Sequence, residues 1–217
     1  MDSHTTVEKD DGVEIVPKGE HTATLVWLHG LGDSAYGFTD YFCMPEFRFP
    51  TLKIVLPTAT QMPVTVNRGM VMNSWYDVPY TWDTTVNESA WSSADRICAI
   101  LAQEAQSTSR LFLGGISQGG ATALLTGFSR YSGPLSGVIA LSSYALQAPI
   151  PSARLQIPCL IYHGDKDATI DIAFSKSTYE RTLAGVNYTY SVVAGLAHWV
   201  NSQEMTEMRQ WIQSLSS

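Results

Sequence analysis

Charge is scarce in this sequence. Asp, Glu, Lys and Arg make up 15% of 217 residues, well under the roughly 25% of an ordinary soluble domain. So few charges imply a large interior and some apolar surface, such as a binding groove. Positive charge is scarcest: the formal net charge is −7, and no run of lysine or arginine occurs. Nucleic acid and anionic membrane are therefore poor candidates as partners. No apolar run approaches the length of a bilayer span, so no integral membrane association is expected. The three cysteines, Cys43, Cys98 and Cys159, lack the spacing of a metal site or redox pair. They read as buried thiols in a reducing, cytoplasmic setting, with no metal and no cofactor expected. Linkers rich in Gly, Ser or Pro and internal repeats are also missing, which leaves room for one core. Residues 1–20 are polar and acidic without an apolar stretch. They are expected to form an extension, poorly ordered at its start, ahead of a single domain at 21–217. Asn87-Glu88-Ser89 and Asn187-Tyr188-Thr189 fit the glycosylation pattern, and without a secretion signal they read as coincidence.

What the chain does contain is an alternation of short apolar runs and helical patterns. Ala23–Leu28, Leu52–Leu56, Arg110–Ile116, Gly137–Leu141, Cys159–Tyr162 and Asn187–Val193 read as strands. Most are apolar on both faces, as in a parallel sheet covered by helices. Ala90–Glu104, Gly119–Phe128, Ile172–Ala184 and Gln203–Leu215 read as helices, the last with Met205, Met208, Trp211, Ile212 and Leu215 on one face. The alternation predicts an α/β fold with a mostly parallel, doubly wound sheet. Its chemistry should sit at the carboxyl ends of the strands.

Gly115-Ile116-Ser117-Gln118-Gly119 matches G-x-S-x-G between a strand and a helix. The glycines leave room for an abrupt turn that exposes the serine hydroxyl at a helix N-terminus. Ser117 is thus the expected nucleophile. A serine hydroxyl needs a base within hydrogen-bond reach. Of five histidines, only His198 follows the last strand, where the nucleophile–acid–histidine order puts the base. The acid should follow the preceding strand, where His163-Gly164-Asp165-Lys166-Asp167 offers two carboxylates. Residue pattern leaves Asp165 and Asp167 both open, with Asp165 able to brace the turn. Asp171 reads as a cap for the following helix. The loop His29-Gly30-Leu31-Gly32-Asp33 ends a strand and lacks the lysine of a phosphate loop. Together with the residue after the serine it predicts an oxyanion hole made by the N–H groups of Leu31 and Gln118.

LHGLGD (28–33), LPTA (56–59), PVT (63–65), SWYD (74–77), GISQGG (115–120, with Gly114 before it) and HGDKD (163–167) occur in one order. With these blocks the chain resembles the acyl-protein thioesterase and lysophospholipase (phospholipase/carboxylesterase) family of α/β-hydrolases, from about Thr24 onward. The resemblance implies an α/β-hydrolase fold without a large cap domain, and a triad completed by Asp167. It implies hydrolysis of acyl thioesters on protein cysteines, with small-molecule or lysolipid esters as the alternative substrates. It implies a lid over an acyl channel at Gln61–Tyr76, with Met62, Val64, Val66 and Val71 among its apolar residues. Substrate contacts are expected from Met70, Met72, Trp75, Ile116, Tyr144 and Phe174. A peripheral apolar surface could pair two copies weakly, as in some relatives. Tyr144 stands where the family usually has tryptophan, Ala168-Thr169 replaces proline-leucine, and Gln147–Gln156 is shorter than usual. These departures touch the pocket and leave the triad intact.

Overall fold

The computed structural model describes residues 3–215 apart from 45, 46 and 48. Its centre is an eight-stranded sheet. The expected strands are β3 (Ala23–Leu28), β4 (Leu52–Pro57), β7 (Leu111–Ile116), β8 (Gly137–Leu141), β9 (Cys159–Gly164) and β10 (Tyr188–Val193). In the order β4-β3-β7-β8-β9-β10, every neighbouring pair is parallel. All residues of β3, β7, β8 and β9 are buried, the pattern of strands covered on both faces. Only β10, at the edge, alternates partly buried and exposed positions.

The N-terminal expectation fails. Residues 4–17 are sheet: β1 (His4–Lys9) and β2 (Gly12–Pro17) form an antiparallel hairpin, and β2 pairs antiparallel with β4. Val13 and Ile15 point into the core between the outward Glu14 and Val16. That period of two is what a half-buried strand requires. Gly12 allows the close approach, since a Cβ there would lie 2.3 Å from the Leu56 carbonyl oxygen. The domain therefore begins well before residue 21; residues 1 and 2, where disorder was expected, lie outside the described part.

Helices cover the sheet on both sides. α2 (Glu88–Glu104), α3 (Gln118–Leu125) and α4 (Ile172–Thr182) supply one core with Ala94, Ile97, Leu124 and Tyr179. α1 (Tyr36–Cys43) and α5 (Ser202–Ser214) supply the other with Phe38, Phe42, Met208 and Ile212. α1 carries no apolar stripe longer than its two phenylalanines and was not anticipated. Trp27 on β3 lies across from Gly114 on β7. A Cβ at 114 would come within 2.9 Å of the indole, so the small residue makes space for the large one.

The expected lid, Gln61–Tyr76, contains a second, two-stranded sheet of β5 (Gln61–Val64) and β6 (Met70–Asn73). It is tied down: Gly32 N–H donates to Asn73 O at 2.9 Å, and Asn73 Nδ2 donates to Asp33 O at 2.8 Å. Among the described residues no helix is long and apolar enough to cross a membrane. The cysteines differ from expectation: Cys159 is buried, Cys98 is partly exposed and Cys43 is exposed.

Candidate active site

β7 ends at Ile116 and α3 starts at Gln118, so Ser117 alone makes the turn. Its backbone sits at φ 55°, ψ −124°, a conformation that typically costs about 1–3 kcal/mol in a non-glycine residue. The surroundings hold it there. Ser117 N–H donates to Leu141 O at 2.9 Å, and Ser143 Oγ donates to Ser117 O at 2.6 Å. The flanking glycines have no room for side chains: a Cβ at Gly115 would lie 2.6 Å from Leu28 O, and one at Gly119 2.2 Å from the same atom. This is the mechanical reason for the G-x-S-x-G spacing.

His198 lies after β10. Its Nε2 is 3.0 Å from Ser117 Oγ and its Nδ1 is 2.7 Å from Asp167 Oδ2. Asp167 is buried, and its other oxygen accepts N–H bonds from Thr169 at 2.9 Å and Ile170 at 2.8 Å. The two candidate carboxylates are thereby distinguished. Asp165 is exposed and accepts from Gly195 N–H at 2.6 Å, bracing the histidine's loop from outside. Lys166 N–H donates to Leu196 O in the same seam, and a Cβ on Gly164 would fall 2.1 Å from that carbonyl oxygen. Asp171 accepts from the N–H groups of Ala173 and Phe174, as a helix cap should. Beneath Asp167 lies His163, fully buried, with Nε2 2.9 Å from Ile170 O and 3.3 Å from Asp167 Oδ2. Burial lowers the His163 pKa from its ordinary value, so the ring stays neutral and its Nε2 faces acceptors as a donor.

The Leu31 loop is fixed by its neighbours. His29 donates from Nδ1 to Gly30 O at 2.6 Å and accepts from Ala59 N–H at Nε2, 2.9 Å. Burial lowers its pKa too. The Gln118 side chain ties the 74–76 segment. Its Oε1 accepts from Trp75 N–H at 3.0 Å, and its Nε2 donates to Ser74 Oγ at 2.9 Å and Tyr76 O at 2.7 Å. The backbone N–H groups of Leu31 and Gln118 donate to no acceptor among the described residues.

A cavity of about 280 Å³ opens over Ser117. Leu31, Ile116, Gln118, Tyr144 and His198 line it. Met70, Met72, Trp75 and Phe174 do not, which corrects four expected substrate contacts. Met70 is 63% exposed on the hairpin. Met72 packs against the core, where its sulfur accepts from Asn67 Nδ2. Trp75 is wholly buried and donates from Nε1 to His29 O at 2.8 Å. Phe174 stands behind the wall, its ring edge-on to Trp82 and tilted against Tyr144. The lining that sequence reasoning missed is Phe38, Val78, Trp82 and Trp199, while Thr169 belongs to a departure expected to touch the pocket. Trp199 is adjacent to His198 and could have been suspected. Trp82 lies in an irregular stretch with no periodic signal.

The α5 helix anchors the loop that carries His198. Asn201 and Glu204 form a reciprocal capping box. Glu204 is buried, and its Oε1 has no hydrogen-bond partner among the described residues. Burial pushes its carboxyl up to about 7. A carboxyl raised on folding contributes stability that is complete below its ordinary value near 4.5 and is lost as pH rises through about 7. Glu204→Gln keeps an acceptor for Asn201 N–H and has no charge to bury. Its melting temperature relative to wild type should therefore climb between about pH 5 and pH 9, by several degrees at roughly 2–4 °C per kcal/mol. A pH-independent difference in calorimetry would refute this role.

Residues 11–216 match the phospholipase/carboxylesterase family of α/β-hydrolases. The chain is 29% identical to acyl-protein thioesterase 1 of Cryptococcus neoformans var. neoformans serotype D, covering 92% of this chain and 95% of that protein. It is also 29% identical to acyl-protein thioesterase 1 of Yarrowia lipolytica, covering 93% and 95%. Among solved structures, Arabidopsis thaliana SOBER1 superposes with a TM-score of 0.82 at 28% identity, over 90% of this chain and all of that one. Zea mays acyl-protein thioesterase 2 gives 0.79 at 27% identity, over 94% and 98%. A sheet, an elbow and loops arranged this way, together with a family match over nearly the whole chain, make this protein a hydrolase belonging to the phospholipase/carboxylesterase family of α/β-hydrolases.

Proposed function

We propose that this enzyme cleaves acyl thioesters and carboxylic esters through an acyl-enzyme formed on Ser117. The observation that carries the reading is the aligned relay from Ser117 Oγ through His198 to Asp167, at 3.0 and 2.7 Å. Ser117 Oγ attacks the carbonyl carbon while His198 Nε2 takes its proton. The oxyanion that forms enters the corner between the N–H groups of Leu31 and Gln118. Collapse expels the thiolate or alkoxide, which leaves with the proton from His198. Water then attacks the acyl-enzyme with His198 again as base, releasing the carboxylic acid. Asp167 orients the imidazole and stabilises its charged form, and Thr169 and Ile170 hold the carboxylate in turn.

The names of the fungal relatives support a protein cysteine as the acyl carrier. A second reading, a carboxylesterase for small esters, is favoured by the modest cavity. The formal charge of −7 disfavours polyanionic partners under either reading. A fluorophosphonate probe should label the protein once, and mass spectrometry should place the adduct on the peptide containing Ser117. Turnover of an acyl-cysteine peptide against the matching nitrophenyl ester then separates the two carriers. A folded protein that takes no label, or takes it elsewhere, sinks the proposal.

A further inference from the structure

We propose that Trp82 is the end wall of the acyl pocket and makes this hydrolase favour short acyl chains over long ones; this rests on Ser117 being the nucleophile of that pocket.

Two aromatic pairs line the cavity over Ser117. Phe38 and Trp199 form one, with rings 6.3 Å apart, and Trp82 and Tyr144 form the other, 5.9 Å apart; we take these pairs as its two ends. Trp199 is 48% exposed, so its end opens to solvent and suits the departing thiol or alcohol. Tyr144 and Val78 are buried, so the other end suits an apolar acyl chain. A methylene fills about the same space as a water molecule, roughly 30 Å³. The whole cavity is about 280 Å³, and the departing group takes part of it. What is left on the acyl side suits a short chain, and a palmitoyl chain needs far more room.

The wall is built to stay. The Trp82 ring meets Tyr144 edge-on at 5.9 Å and Phe174 at 6.3 Å, and Tyr144 meets Phe174 at 5.8 Å, which closes a triangle of rings. The Tyr144 hydroxyl shares a 2.7 Å hydrogen bond with that of Tyr76. The Tyr76 carbonyl is in turn held by Gln118 Nε2. Trp82 itself has φ 51°, an unfavourable conformation for a bulky residue. It persists because the chain is fastened on both sides. Trp82 N–H donates to Pro79 O at 3.1 Å, Asp83 accepts from the N–H and hydroxyl of Thr85, and Arg181 Nη2 donates to Thr84 Oγ1 at 2.7 Å. An acyl chain reaching past Trp82, which is itself only partly exposed, would have to displace a ring held in this set.

The test is a chain-length profile on the purified full chain, with nitrophenyl esters and acyl-cysteine peptides from acetyl to palmitoyl. The wild type should favour octanoyl or shorter chains over palmitoyl by about tenfold or more in kcat/KM, since a single methylene in a hydrophobic site is worth that much. Trp82→Ala should raise the palmitoyl-to-butanoyl ratio by about tenfold, and Trp82→Leu by less. A gain on long chains cannot arise from a damaged fold. A wild-type optimum at palmitoyl overturns the proposal, as does a ratio unmoved in both variants, and the wild-type profile decides alone if neither variant folds. Ser117→Ala serves as the control. Turnover persisting in that variant at every length refutes the nucleophile, whereas a contrary length profile leaves the nucleophile standing and refutes the wall.

Discussion

Ser117→Ala should lower kcat by about a millionfold, the scale found when a hydroxyl nucleophile is removed from a working relay. The structure makes the change a clean one. The Ser117 side chain contacts His198 and no other hydrogen-bonding group among the described residues. Its strained backbone is fixed by the peptide groups of Leu141 and by Ser143 Oγ, none of which the substitution touches. The variant should therefore fold and melt as wild type does, bind substrate with a similar KM, and retain only the roughly thousandfold or greater advantage over water that positioning and the oxyanion N–H groups supply. Steady-state kinetics with an active-site titration, to exclude traces of wild type, is the measurement. Activity reduced less than about a hundredfold would falsify the assignment of Ser117.

Asp167→Asn should cost about ten-thousandfold in kcat, for a reason visible in the hydrogen bonds. One oxygen of the residue at 167 is committed to the N–H groups of Thr169 and Ile170. Asparagine would keep its oxygen there and turn its NH2 toward His198. The imidazole must then accept at Nδ1, so the ring proton moves to Nε2 and the base facing Ser117 is lost. Asp165→Asn is the contrasting variant: that carboxylate lies outside the relay and braces Gly195 N–H, so its loss should be far smaller. Equal losses in the two variants would mean that the relay has been read wrongly. Melting curves guard against the alternative that the buried 163–167 turn has collapsed.

Legibility differed by element. The strands β3, β7, β8 and β9 were visible because burial on both faces demands unbroken apolar runs. Ser117 was visible because a turn this tight admits only glycine at 115 and 119. The β1–β2 hairpin was missed because HTTVEKDDGVEIVP is polar in composition. Its single inward pair, Val13 and Ile15, gains its meaning only from the free edge of β4. Residue pattern left Asp165 and Asp167 open; the resemblance pointed to Asp167, and the turn geometry separates their contacts. The resemblance put Trp75 and Met70 at the pocket, yet one is core and the other faces solvent. It had nothing to say for Trp82, which lines it.

By itself the sequence determined the order of the inner strands and their helices, the place of the elbow, and the candidates for a relay, with the acid left between Asp165 and Asp167. These follow from burial patterns and local backbone sterics, which act over a few neighbouring residues. Tertiary structure alone decided the shape of the pocket. A cavity is the space left after distant segments have packed, and its walls at Phe38, Trp82, Tyr144 and Trp199 meet only when the sheet has brought its loops together.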